Sequence, residues 1–149
     1  MIDIIILFAC TLCGFACGKY LEKRIKRKGE FCSDLARYAT SLKINVEGRK
    51  LELASFNEEF SAQCSEHFAD FLRDGKIRCS LPALQKANVT KFFDNLSCSS
   101  SSELDKHIEY YNGVFTAFAK QVTENEVAKA SVYVKLGILL GMMVGIVLI

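Results

Sequence analysis

Cys10, Cys13 and Cys17 form a C-x-x-C-x-x-x-C run, a spacing at which thiolates could hold zinc or an iron–sulfur cluster. The run lies inside an uncharged apolar stretch with no fourth ligand nearby, and a bilayer would bury the thiolate charge there. These cysteines therefore read as small hydrophobes packing among glycines. His67 and His107 are the two histidines, and neither has a histidine four residues on or a dense set of acids beside it, as a metal site would need. Glu58-Glu59 reads as a solvated helix face. The sequence holds no glycine-rich phosphate loop, serine elbow or paired-carboxylate motif. The expectation is a protein that is not an enzyme, with no metal, cofactor or small-molecule substrate.

The one dense cluster of charge is basic. Lys19, Lys23, Arg24, Lys26, Arg27 and Lys28 follow immediately on the first apolar run, and all 19 Lys and Arg residues of the 149-residue chain lie between Lys19 and Lys135. Outside those limits Asp3 is the single charge. A net charge of +2 overall, and +3 once Asp3 is set aside, is too small to argue for a nucleic-acid partner. Orientation at a membrane accounts for the basic cluster by itself, and anionic headgroups or an acidic partner are its two further uses. Seven cysteines are an odd number, three of them in the apolar run, which fits a reduced cytosolic setting for the middle of the chain.

The elements that position this cluster are two apolar ends. Residues 1–18 read as one transmembrane helix, and residues 136–149 as the core of another that extends over 132–149 if Lys135 snorkels to the headgroups. A cleaved signal would carry its positive charge before the apolar run, whereas here the charge follows it. A lipoprotein signal is also disfavoured, because the stretch before Cys10 is short and Gly14 stands where a leucine is wanted. The positive-inside rule then puts both termini on the extracytoplasmic side and residues 19–135 in the cytoplasm. Gly137, Gly141 and Gly145 form a G-x-x-x-G-x-x-x-G ridge, and Gly14 and Gly18 repeat the spacing with Cys10 one step earlier. Such ridges let helix backbones meet in lipid, within one chain or between subunits.

Between the spans the apolar spacing is helical, which predicts an all-α fold: a helical bundle between two transmembrane helices. Phe31, Leu35, Tyr38, Leu42 and Val46 make one face, which Gly48 is expected to end. A second stripe runs through Leu53, Phe56, Phe60, Cys64, Phe68 and Phe71 to Asp74-Gly75, as one helix or two. Leu81-Pro82 opens a short helix, and a separate short stretch holds Val89, Phe92, Phe93 and Leu96. After the serine loop 97–102, where Ser100 and Glu103 have capping-box spacing, Leu104, Ile108, Tyr111, Phe115, Phe118 and Val122 line a helix predicted to continue unbroken into the membrane. Two long helices leaving the membrane together would form a stalk.

This layout resembles the stage III sporulation protein AB family of endospore-forming bacteria over the full chain. The most specific part is Lys135-Leu136-Gly137-Ile138-Leu139-Leu140-Gly141, of the form K-L-G-x-L-x-G. Leu42-Lys43-Ile44-Asn45-Val46 and Leu51-Glu52-Leu53-Ala54 resemble the family's first helix, turn and second helix, and also the cytoplasmic helical domain of F-type platform proteins of type II secretion and type IV pilus systems. Lys50 stands where many members have proline, and Leu96-Ser97-Cys98 replaces a Leu-Gly-x-x-D-x-x-x-Q-like stretch. The resemblance implies a non-enzymatic mother-cell membrane subunit of the channel complex between mother cell and forespore. It also implies partners among the other channel subunits and a secretion-type ATPase. A platform component acting outside sporulation is the alternative, and a lipid-sensing or cysteine-redox regulator is a third.

Overall fold

The computed structural model describes residues 2–49, 52–96 and 101–148. Among these the fold is all-α, with no strand. Six α-helices follow in order: α1 Ile2–Ile44, α2 Leu53–Ser61, α3 Glu66–Asp74, α4 Ala83–Leu96, α5 Ser101–Val122 and α6 Ala130–Val147. Single π-helical turns cover Asn45–Arg49 and Thr123–Val127. The chain divides into two compact units, one made of Met1–Arg27 with Thr123–Ile149 and the other of Lys28–Val122. Residues 19–27 and 123–135, the membrane-proximal stalk ends of the middle domain in the sequence reading, lie in the unit of the terminal helices.

In the second unit the C-terminal part of α1 is the element around which the others pack. Phe31, Leu35, Tyr38 and Leu42 are buried, each with 3% or less of its surface exposed, as their helical spacing requires. Tyr38 is fully buried, and its ring meets Phe56 and Phe60 of α2 at 5.3 and 5.2 Å and Phe93 of α4 at 5.3 Å. Its hydroxyl donates to Asn57 Oδ1 at 2.6 Å, so burial of the phenol leaves no unpaired polar atom there. That burial pushes the Tyr38 phenol well above its ordinary pKa. Phe31 meets Phe68 and Phe71 of α3 edge-on, and Phe92 carries the contact on from α4 to Tyr111 and Phe115 of α5. Thr40 Oγ1 to Asn112 Oδ1, 2.9 Å, and Lys43 to Glu109, 3.3 Å, tie α1 to α5 at the surface.

The structure decides one boundary that the sequence leaves open and changes several others. The aromatic stripe from Leu53, read as one helix or two, is two helices, broken at Ala62–Ser65. The break is stabilised from α1, because the buried carboxylate of Asp34 accepts the backbone N–H of Ser65, the residue that caps α3, at 2.8 Å. A negative charge at a helix N-terminus is favourable, and Arg37 balances it at 3.1 Å. Gly75 ends α3 in the left-handed conformation, φ 69°, donating its N–H to Phe71 O. The two short helices expected after Leu81-Pro82 are one, α4, whose first bond runs from Lys86 N–H to Pro82 O. Gly48 does not act as a left-handed cap, since the helix widens into a π turn that includes it. The last helix is not uniform either: Ala128 N–H bonds Thr123 O in π fashion before α6 resumes. Lys50, Leu51 and the loop from Ser97 to Ser100, with its capping-box serine, lie outside the described residues.

Removing the Asp34 carboxylate strips the Ser65 N–H of a charged acceptor in a buried setting. Asp34→Ala is expected to lower the stability of the helical unit by about 2 kcal/mol, read from thermal unfolding followed by circular dichroism. Exposed Glu58→Ala should change it by less than about 0.5 kcal/mol.

Candidate functional site

His107 is half-buried, stacked on Phe92 with ring centroids 5.8 Å apart, and its Nε2 lies 3.4 Å from Phe92 O. His67 is half-buried on α3, and Glu58 and Glu59 are exposed on α2. Burial raises the Cys79 thiol to about 11 and also raises Cys64, which leaves both thiols protonated at neutral pH. Among the described residues no three His, Cys, Asp or Glu side chains form a group that could hold a metal ion.

The unusual chemistry is in the terminal unit, where α1 and α6 run antiparallel with their backbones in contact. The glycine ridges face each other within this one chain. The Gly137 carbonyl stands over Gly14, and the Gly14 carbonyl over Gly137, too close for a side chain at either position. A Cβ on Gly18 would lie 2.8 Å from Tyr133 O and Val134 Cα, and one on Gly141 would lie 2.6 Å from Cys10 O. At Gly145 the neighbour is Leu7, whose Cα would be 3.1 Å from a Cβ. Leu7, Cys10, Gly14 and Gly18 thus descend one helix as Gly145, Gly141, Gly137 and Tyr133 ascend the other. At such a seam, dispersion and Cα–H···O contacts hold helices without large side chains.

The large apolar side chains are outside. Ile4, Ile5, Phe8 and Leu12 on α1 and Leu139, Leu140, Met143 and Ile146 on α6 are each more than half exposed. Small residues in the seam and large apolar residues on the surface invert the pattern of a water-facing helix pair. Both helices are long and apolar enough to cross a membrane: Asp3–Gly48 holds an 18-residue stretch of mean hydropathy 1.9, and Glu103–Val147 one of 2.0. No protein-family model, curated protein or solved structure matches the chain.

The basic cluster is not uniform. Glu22, with 8% of its surface exposed, accepts Lys19 Nζ at 2.9 Å and Lys26 Nζ at 2.8 Å. Hydrogen bonds from Lys26 and then Lys19 hold its carboxyl down to about 2. Lys28 is half-buried, whereas Lys23, Arg24 and Arg27 are exposed on α1. The cluster was legible in the sequence, but its division by Glu22 was not singled out, although the i−3 and i+4 spacing of the two lysines was there to read.

Two measurements follow. Gly141→Leu should lower the stability of the helix pair in detergent by about 3 kcal/mol through overpacking against Cys10 and Thr11, whereas Met142→Leu should cost less than about 1 kcal/mol. Because the folded pKa of Glu22 lies below its ordinary value, its contribution is present above about pH 4.5 and lost as pH falls toward 2. Glu22→Gln should therefore melt below wild type at pH 7, and the gap should close between those two values.

Proposed function

We propose that the chain is a non-enzymatic membrane platform subunit of a secretion-like channel complex between mother cell and forespore, needed for endospore formation. In this reading α1 and α6 cross the mother-cell membrane as a hairpin, both termini face away from the cytoplasm, and the unit of Lys28–Val122 presents a cytoplasmic docking surface to the other channel subunits and a secretion-type ATPase. The observation that carries it is the antiparallel glycine seam with its large apolar side chains turned outward, a packing that gives a stable helix pair in lipid. The confinement of Lys and Arg to residues 19–135 supports the orientation. The K-L-G-x-L-x-G segment supports the sporulation family, and a rigid helical domain on two anchors needs no catalytic residue to position partners.

Reporter fusions at Met1 and Ile149 are expected to mark both ends as extracytoplasmic, and a cytoplasmic C-terminus overturns the hairpin. Co-purification from sporulating cells should retain channel subunits and the ATPase, with expression confined to the mother cell during engulfment. Expression in vegetative cells would instead favour an inner-membrane platform component of a type II secretion or type IV pilus-like system.

A further inference from the structure

The structure divides the six basic residues that follow the first apolar run, of which Lys28 is half-buried. Lys19 and Lys26 are committed to Glu22, 2.9 and 2.8 Å away. Lys23, Arg24 and Arg27 are exposed and make no ion pair among the described residues. With Tyr20, which is 68% exposed, they occupy positions i, i+3, i+4 and i+7 of α1, one continuous helical face.

At 100° per residue that face points roughly opposite to Gly14 and Gly18, the residues against α6, and continues the outward face that carries Ile5, Leu12 and Cys13. The strip from Tyr20 to Arg27 is about 10 Å long, enough to cross a headgroup layer of about 5–8 Å outside the hydrocarbon core. An amphipathic tyrosine at the apolar end with cations beyond it is the order that a lipid interface favours. The guanidinium groups of Arg24 and Arg27 suit phosphate oxygens geometrically, and Lys23 adds a point charge.

We propose that Tyr20, Lys23, Arg24 and Arg27 form a contact strip for the headgroups of anionic phospholipids, with Glu22 holding Lys19 and Lys26 away from that role. The strip rests on the spanning reading, because it meets headgroups only if residues 1–18 lie in the bilayer. Its occupant is lipid by charge complementarity and by continuity with the apolar exterior of α1. Within the cluster, Glu22 thus leaves Lys23, Arg24 and Arg27 to the strip while Lys19 and Lys26 stay beside its carboxylate.

The test uses the full chain reconstituted into bilayers containing spin-labelled phosphatidylcholine or spin-labelled phosphatidylglycerol, with the motionally restricted fraction measured by electron paramagnetic resonance. Wild type should show a roughly fivefold preference for phosphatidylglycerol over phosphatidylcholine, the scale of one cation near a charged surface. The preference should fall toward unity in Lys23→Gln/Arg24→Gln/Arg27→Gln and in about 1 M salt, where screening acts within about 3 Å. Lys19→Gln/Lys26→Gln should keep it. Equal loss in both variants overturns the division by Glu22 and with it the proposal. Restricted phosphatidylcholine with no preference for phosphatidylglycerol overturns the headgroup strip, leaves the spanning reading standing and turns attention to an acidic protein partner. Absence of any restricted lipid overturns the spanning reading as well.

Discussion

The close approach of two backbones between α1 and α6 is the constraint on which the terminal unit depends. At Gly14, Gly18, Gly137 and Gly141 a Cβ would collide with main-chain atoms of the opposite helix. Backbone atoms cannot swing aside as a side chain can, so each of these positions tolerates hydrogen alone unless the helices separate. Gly145 is different, since its nearest neighbour is the end of the Leu7 side chain. The seam is therefore tightest over the stretch from Gly18 to Gly141. Thr11, beside it, donates its hydroxyl to Leu7 O at 2.8 Å, and so leaves no unpaired donor in an apolar setting.

The middle unit solves the opposite problem with opposite means. Large rings fill its core, and Tyr38 and Phe92 each touch aromatic side chains on more than one other helix. Edge-on ring pairs add about 1 kcal/mol each beyond burial. Rings alone do not fix where a helix starts. Asp34 does this for α3, because its carboxylate reaches across from α1 to the N–H of the capping residue Ser65. One charged hydrogen bond thereby holds the start of α3 against α1, within a stripe whose aromatic spacing runs on across the break.

What could be read from the sequence follows from period and range. The stripes at Phe31–Leu42 and Leu104–Val122 were legible because each is a local repeat of 3.6 residues whose burial needs no knowledge of the partner. The glycine ridges were legible for the same reason, but not their pairing, which depends on two segments more than 100 residues apart. The stripe from Leu53 stays open between one helix and two in the sequence, because Ser61 to Ser65 contains neither Gly nor Pro and the Asp34 carboxylate that accepts the Ser65 N–H is distant along the chain. The π turns escaped because widening a helix by one residue per turn leaves no compositional mark: Asn45–Arg49 carries Gly48, whereas Thr123–Val127 holds only ordinary helix residues. The apolar clusters after Leu81-Pro82 and at residues 89–96 read as two elements by spacing, yet they form one helix because no breaker stands between Ala83 and Leu96.

Glu22 shows how one residue can alter a charge pattern without altering its net meaning for orientation. Acidic residues count for little in the positive-inside rule, which weighs Lys and Arg. An acid inside the basic cluster therefore leaves the orientation signal intact while it changes what the cations can touch. A carboxylate with so little exposed surface is unfavourable unless paired, and lysines three residues before and four after reach its two oxygens separately. The one carboxylate offsets one of their two charges and holds both ammonium groups beside it. The cations at Lys23, Arg24 and Arg27 point elsewhere by the geometry of the helix alone, because no spacing that reaches Glu22 from i−3 and i+4 is open to them. The same periodicity that presents a glycine face to α6 thus sorts the basic residues into a paired set and an outward set.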